Sequence, residues 1–478
     1  MVTRDHLKPR DCCAIKMTTP PPVFSSLTEC AQGSQVNHER YKGLVDSFQA
    51  KYGEKPKYLV RAPGRVNLIG EHIDYSGYGV LPMALEQDIT TAFVTNDSGE
   101  ICLANVSDSY SELKCKVADI KISGHNWYEY FFCGLKGIVE HFSIDSPIGM
   151  KVLLDGNIPP SAGLSSSSAL VCCAALATVV ANNVPSPTKK ELAEICAKCE
   201  RYIGTEGGGM DQSISFMAEP GVAKMIEFNP IRCSDVKLPS SAAIVVSNTL
   251  VLANKAAFAN YNERVVECRI AAQVIAKKKG LKWQDIRKLG QLMEALQLPL
   301  EKMVIVVAEC LHGEAYMRNE VCKFLEVSDE DLASGSMSPS TLHMQKFELH
   351  KRAAHVYSES LRVIQFKKAC ENPSVTMEEL GKLMNESHAS CRDLYECSCP
   401  ELDGLAVLCE KSGSCGTRLT GAGWGGCAIS LVPKDNVDSF MQRISESFYQ
   451  AHPVRAKQIS TSLFATSPGG GASVCKLE

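Results

Sequence analysis

The run Arg61-Ala-Pro-Gly-Arg-Val-Asn-Leu-Ile-Gly-Glu-His-Ile-Asp-Tyr75 crowds guanidinium, carboxylate and imidazole groups among turn-forming residues. Arg65, Glu71 and Asp74 cannot all enter a core unpaired, and Gly64, Gly70 and Gly77 let the backbone close around something small. Carboxylates held at fixed spacing accept from neighbouring O–H donors and can read the stereochemistry of a polyol. The expected chemistry is a polar cup for a sugar; the plainer alternative is a solvated loop with structural glycines. A second run, Pro159-Pro-Ser-Ala-Gly-Leu-Ser-Ser-Ser-Ser-Ala169, is a small-residue turn entering an apolar stretch. Backbone N–H groups at such a helix start, reinforced by the helix dipole, would cradle phosphate. A serine-rich helix cap is the alternative there. No Gly-x-x-x-x-Gly-Lys-Ser/Thr occurs. A third run, Cys199-Glu-Arg-Tyr-Ile-Gly-Thr-Glu-Gly-Gly-Gly-Met-Asp-Gln212, is a helix end followed by a glycine turn that aims Asp211. Leu419-Thr-Gly-Ala-Gly-Trp-Gly-Gly-Cys427 contains Gly-x-Gly-x-x-Gly but leads into a strand-like run, where a dinucleotide fingerprint would open a helix.

The elements that must position these runs can be read from periodicity. Helical spacing covers 38–52, and strands are expected at 58–62, 89–95 and 150–154. An apolar helix follows the serine run, and Thr188-Lys-Lys-Glu191 is a capping box that starts a helix through Tyr202. A strand is expected at 242–247, a long helix at 256–279 ended by Gly280, and strands at 427–432 and 463–466. Residues 1–37, with Pro20-Pro-Pro22 and no apolar periodicity, read as a flexible tail. Ser334–Leu342 reads as a surface insertion or linker. The mixed order argues for an α+β chain.

The first run resembles the signature of galactokinases at every position from Gly64 to Tyr75, and the serine run resembles the second motif of the GHMP kinase superfamily to which they belong. The glycine turn at Asp211 and the run at 419–427 resemble the family's remaining motifs. The resemblance implies a two-domain GHMP kinase fold, with a mixed-sheet N-terminal domain at 38–240. A ferredoxin-like C-terminal domain with helical insertions follows at 241–478, one insertion falling near 326–345. It implies ATP and Mg²⁺ as cofactors, with Gly163, Leu164, Ser165, Ser166 and Ser167 on the triphosphate. Ser166 and Glu200 are expected at the metal, although which serine oxygen meets it stays open. Without the resemblance, Glu200 would read as part of a solvated helix face, and Glu206 is a nearby rival. Sugar contacts are implied for Arg65, Glu71, His72, Asp74, Gly209, Asp211 and Tyr261. Trp127 and Tyr130 are implied beside adenine, where two core aromatics are the alternative, and Asn254 and Lys255 near the nucleotide.

Phosphoryl transfer is catalysed mainly by positioning and charge neutralisation. Arg65 and Asp211 are the expected catalytic pair: Arg65 faces the transferred phosphate, and Asp211 orients or deprotonates the sugar's C1 hydroxyl. A carboxylate stabilised as the anion by an arginine is a weak base, which favours orientation. Within the family, Ile73, the Gly207–Gly209 turn, Trp424 and a long insertion after Leu325 resemble the branch that acts on N-acetylgalactosamine. That implies N-acetylgalactosamine as the substrate and galactose as a poorer one, the alternatives being a galactokinase proper or a non-catalytic sugar- and ATP-binding sensor. The Ser168-Ala169 pair and an intact Asp211 argue against the sensor.

Composition sets the outer bounds. The chain has 478 residues, 45% of them hydrophobic, enough for two domains with substantial cores. A net charge of −4 gives no reason to expect nucleic acid or a membrane as partner; a monomer is expected. The longest apolar run, Ala169–Ala181, falls short of the roughly 20 residues of a membrane span. The 22 cysteines, spread over a large chain with no visible secretory signal, read as reduced thiols of a cytoplasmic protein. His388, Cys391, Cys397 and Cys399 fit no common zinc spacing and are expected to be buried side chains.

Overall fold

The computed structural model describes residues 17–123, 126–252 and 259–477. Two sheets organise it. The larger has seven strands in the order Val23–Phe24, Ser473–Lys476, Tyr58–Asn67, Pro82–Asn96, Gly149–Gly156, Glu100–Asn105, Leu113–Lys116. It is mixed: Val23–Phe24 runs parallel to Val474–Cys475 and Glu100–Asn105 parallel to Gly149–Gly156, and its other pairings are antiparallel. The smaller sheet is antiparallel, in the order Gly416–Leu419, Cys427–Pro433, Ala242–Asn248, Leu463–Thr466.

Apolar helices cover the large sheet because their sequences leave little polar surface. Ser166–Ala181 is hydrophobic nearly all round and is buried along almost its whole length, packed between the sheet and the helix Trp127–His141. Gly134 permits that approach, since a Cβ there would lie 2.2 Å from the Val171 carbonyl oxygen. The Thr188 capping box forms as its spacing predicts, opening Lys189–Cys199; the last turn, Glu200–Ile203, tightens to 3₁₀.

Two expectations need correction. Residues 1–16 lie outside the described set, but from Val23 the chain is not a loose tail. Val23–Phe24 adds to the large sheet, Ser26 caps a short helix, and Cys30 is fully buried. The prolines before it lack apolar periodicity because they deliver an edge strand held by backbone pairing. Likewise 334–342 is not simply a surface linker. Ser328 caps the helix Asp329–Ser336, Ser336 and Thr341 are buried, and Ser340 Oγ accepts from Asn262 Nδ2 at 2.9 Å.

Candidate active site

A β-bulge between Pro63 and Arg65 interrupts the pairing of Tyr58–Asn67 with Pro82–Asn96 and aims Arg65 off the sheet. Gly64 is required at the bulge, because a Cβ would sit 2.7 Å from the Leu164 carbonyl oxygen and 2.9 Å from Ile158. Arg65 is buried; its Nε donates to Asp211 Oδ1 at 2.9 Å and its Nη1 to the Gly163 carbonyl at 2.6 Å. One side chain thereby ties the first run to the second and third. Arg61 plays no part in the site: it is buried in the sheet against Asp88, at 2.8 Å.

Asp211 stands in the first turn of Met210–Met217, whose N-cap Gly209 adopts φ of 105°. Ser168, one serine among several and given no site role by its spacing alone, has its hydroxyl 3.0 Å from Glu200 Oε1 and 3.3 Å from Asp211 Oδ2. It stands in the first turn of the helix Ser166–Ala181 and is fully buried. Gln212 Nε2 donates to the other Glu200 oxygen. Ser165 takes a left-handed φ of 61°, and its hydroxyl is buried without a partner among the described residues. An orphaned donor at a helix N-terminus, with Glu200 close by, suits a nucleotide's phosphates and a hard divalent cation that takes oxygen ligands. Ser166 and Ser167 line the same cavity.

That cavity, of about 340 Å³, runs from Arg65, Glu200 and Asp211 past Gly163 and Ser165–Ser167 to Trp127, Tyr130 and Tyr110. Tyr110, packed edge-on against Trp127 with ring centroids 5.6 Å apart, is an aromatic wall residue that sequence reasoning missed. It comes from a loop whose position depends on the tertiary fold. Leu164 is buried and anchors Arg65, its carbonyl accepting from the Arg65 N–H at 3.1 Å. Asn254 and Lys255 lie outside the described residues.

A second, narrower cavity joins the first at Arg65, Glu200 and Asp211 and is lined by Glu71, His72, Asp74, Gly207–Gly209 and Tyr261. The sugar residues expected from sequence thus converge, but in different circumstances. Glu71 has both oxygens engaged by protein: Oε2 accepts from Asn67 Nδ2 at 2.5 Å and Arg418 Nη1 at 3.1 Å, Oε1 from the Gly421 N–H at 2.5 Å. Burial pushes its carboxyl up, opposed by Arg418, Arg65 and His72. Glu71 therefore staples the first run to the last. His72, at a φ of 60°, meets the Ala422 carbonyl through Nε2 and Tyr75 through Nδ1, each at 2.8 Å, so Nε2 is the donor. Asp74 Oδ2 accepts from the Met210 N–H at 3.4 Å. Gly208 lies flat against Asp74, for a Cβ there would come within 2.4 Å of Asp74 Cγ. Burial, with Asp74, Asp211 and Glu200 nearby, holds Tyr261 as a neutral phenol able to donate.

The helix Leu349–Glu371 fixes the backbone of the first run. Glu359 accepts from the Gly70 N–H at 2.9 Å, and His355 Nε2 meets the Glu71 carbonyl at 3.1 Å. The glycine-rich run 419–427 closes against the cradle: a Cβ at Gly421 would lie 2.3 Å from the Gly163 carbonyl oxygen, and one at Gly163 2.8 Å from that of Thr420.

Comparison with known proteins agrees with this geometry. Residues 46–94 match the galactokinase galactose-binding signature, 129–219 the GHMP kinases N terminal domain, and 367–450 the GHMP kinases C terminal family. A galactokinase of Dictyostelium discoideum is 41% identical, across 95% of this chain and 97% of its own. One of Saccharomyces cerevisiae is 34% identical, across 92% and 95%. The crystal structure of Lactococcus lactis galactokinase complexed with galactose superposes with a TM-score of 0.70 at 26% identity, covering 91% of this chain and 99% of that one. Fold and site define a GHMP kinase. Within that class the chain belongs to the galactokinase family, and it is a sugar kinase of that type.

Proposed function

We propose that the protein transfers the γ-phosphate of ATP to the C1 hydroxyl of galactose. The observation that carries this reading is the junction of the two cavities at Arg65, Asp211 and Glu200, where a sugar in one meets a nucleotide in the other. The relatives named above are galactokinases, which supports galactose over the N-acetylgalactosamine read from sequence. Asp211 lies between Arg65 and Ser168, and because a carboxylate beside an arginine is a weak base it is assigned the task of orienting the hydroxyl. Arg65, aimed by the bulge, offsets charge on the transferred group. Glu200 and Ser166, which both line the nucleotide cavity, are the residues that would hold Mg²⁺, which would neutralise phosphate charge there; Ser168, buried behind them, positions Glu200 through its hydroxyl. Trp127, Tyr110 and Tyr130 would sandwich or flank the base.

One observation favours N-acetylgalactosamine as a second reading. Gly207 borders the sugar cavity with nothing within 4 Å of where a Cβ would stand, which leaves space for an acetamido group. Initial rates with ATP, Mg²⁺ and each sugar decide between them. A higher kcat/KM on galactose is expected; the reverse order would assign the amino sugar, and no turnover of either would sink the kinase reading.

A further inference from the structure

Behind the sugar cavity, on the other face of Gly207 and Gly208, lies a separate cavity of about 460 Å³. It shares no lining residue with the nucleotide cavity. Its charged lining is Arg201, Arg269, Arg287 and Lys288 against Glu206. Such a cation cluster is out of keeping with a chain whose net charge is −4. Arg269 pairs with Glu206 at 2.6 Å and donates to the Ser336 carbonyl at 2.9 Å, and Arg287 donates to the Gly335 carbonyl. Among the described residues, no carboxylate lies within ion-pair distance of Arg201, Arg287 or Lys288. Burial lowers the Lys288 ammonium, Asp74 pulls it back up, and Arg201 and Arg269 lower it further. Gathering like charges beside a partly buried lysine is unfavourable unless an anion joins them.

We propose that this cavity is a second ligand site, taking a small organic phosphomonoester such as a sugar phosphate. The guanidinium forks and the lysine suit a phosphate dianion, and the volume leaves room for a carbon skeleton beyond it. Occupancy is felt in the sugar cavity through the shared wall. An anion that draws Arg269 from Glu206 loosens the turn whose next residues, Gly207 and Gly208, face the sugar, and Gly208 is the residue packed on Asp74. The ligand therefore raises the KM for sugar and leaves kcat alone.

The test titrates the full-length chain calorimetrically with glucose 6-phosphate and, separately, inorganic phosphate, in the presence of galactose, Mg²⁺ and a non-hydrolysable ATP analogue that fill the other two cavities. Saturable binding of glucose 6-phosphate is expected, at least fivefold tighter than inorganic phosphate. The double variant Arg287→Gln/Lys288→Gln should weaken it at least tenfold while keeping the native melting temperature and the ligand-free kcat. No saturable binding, or binding that the double variant retains, overturns the site; equal affinity for both probes overturns the organic ligand. In steady state, glucose 6-phosphate should at least double the sugar KM of the native chain and not that of the variant. A KM that does not move overturns the coupling. Binding is read without turnover, so failure of the kinase reading would show separately.

Discussion

Asp211 accepts from Arg65 and Ser168 at once, so none of the three acts alone. Arg65→Ala and Asp211→Asn are each expected to lower kcat by at least about 100-fold. The double variant should fall no further than the worse single one, because either change dissolves the same pair. Single-turnover rates check this, and additive losses would show that the two residues work independently. Ser168→Ala removes the link between Glu200 and Asp211; a fall in kcat of about tenfold and a higher Mg²⁺ requirement are expected from a magnesium titration. At this scale the chemistry-bearing residue types were legible in the sequence and their partners were not. Glu71 sits in the first run as expected, but Arg418, which claims one of its oxygens, lies far along the chain and only tertiary folding brings it near. Ser168 was hidden by being one serine among several, whose roles separate only when the helix turns them in different directions.

Between elements, the cradle depends on backbone meeting backbone. Gly421, with φ of 83°, stands against the Gly163 carbonyl with no room for a side chain. Gly421→Ala should therefore cost about 1–3 kcal/mol of strain and raise the KM for ATP several-fold, read by thermal melting and by ATP titration. An unchanged KM would mean that this contact does not shape the nucleotide cavity. The glycine runs could be found in the sequence because close approach selects glycine. The bulge at Gly64 could not, since a bulge exists only relative to the register of its partner strand. The same limit hid the edge strand at Val23–Phe24, which is defined by Val474 and Cys475. The Thr188 capping box, whose signal is wholly local, formed as read.

Across the molecule, the second domain's helix holds the sugar run through His355. Its Nε2 must donate to the Glu71 carbonyl, so Nδ1 accepts from Ser390 at 2.8 Å and the ring is neutral. Burial lowers this imidazole from 6.5 to about 4, against the pull of Glu359, Cys397 and the Glu71 carbonyl. A histidine depressed in the fold contributes stability in full above its unfolded value, and that contribution fades as pH falls from 6.5 to about 4. The loss amounts to about 3 kcal/mol. Urea unfolding at pH 7, 5 and 4 should show it, and His355→Gln should flatten that part of the slope; an unchanged slope would place the titration elsewhere. His388, lowered to about 4 by burial, adds in the same direction.

The strand Ser473–Lys476 lies inside the large sheet, between Val23–Phe24 and the strand that carries Arg65. During synthesis this strand is made after nearly everything it must join. Until it leaves the ribosome, the strand holding the catalytic arginine keeps a bare edge, and the Arg61 contacts to the Gly470 and Gly471 carbonyls are missing. The first domain therefore cannot close behind the translation front as an N-terminal unit usually does. Its completion waits for residues 473–476, and a nascent chain halted shortly before them would present this sheet as a template for misassembly.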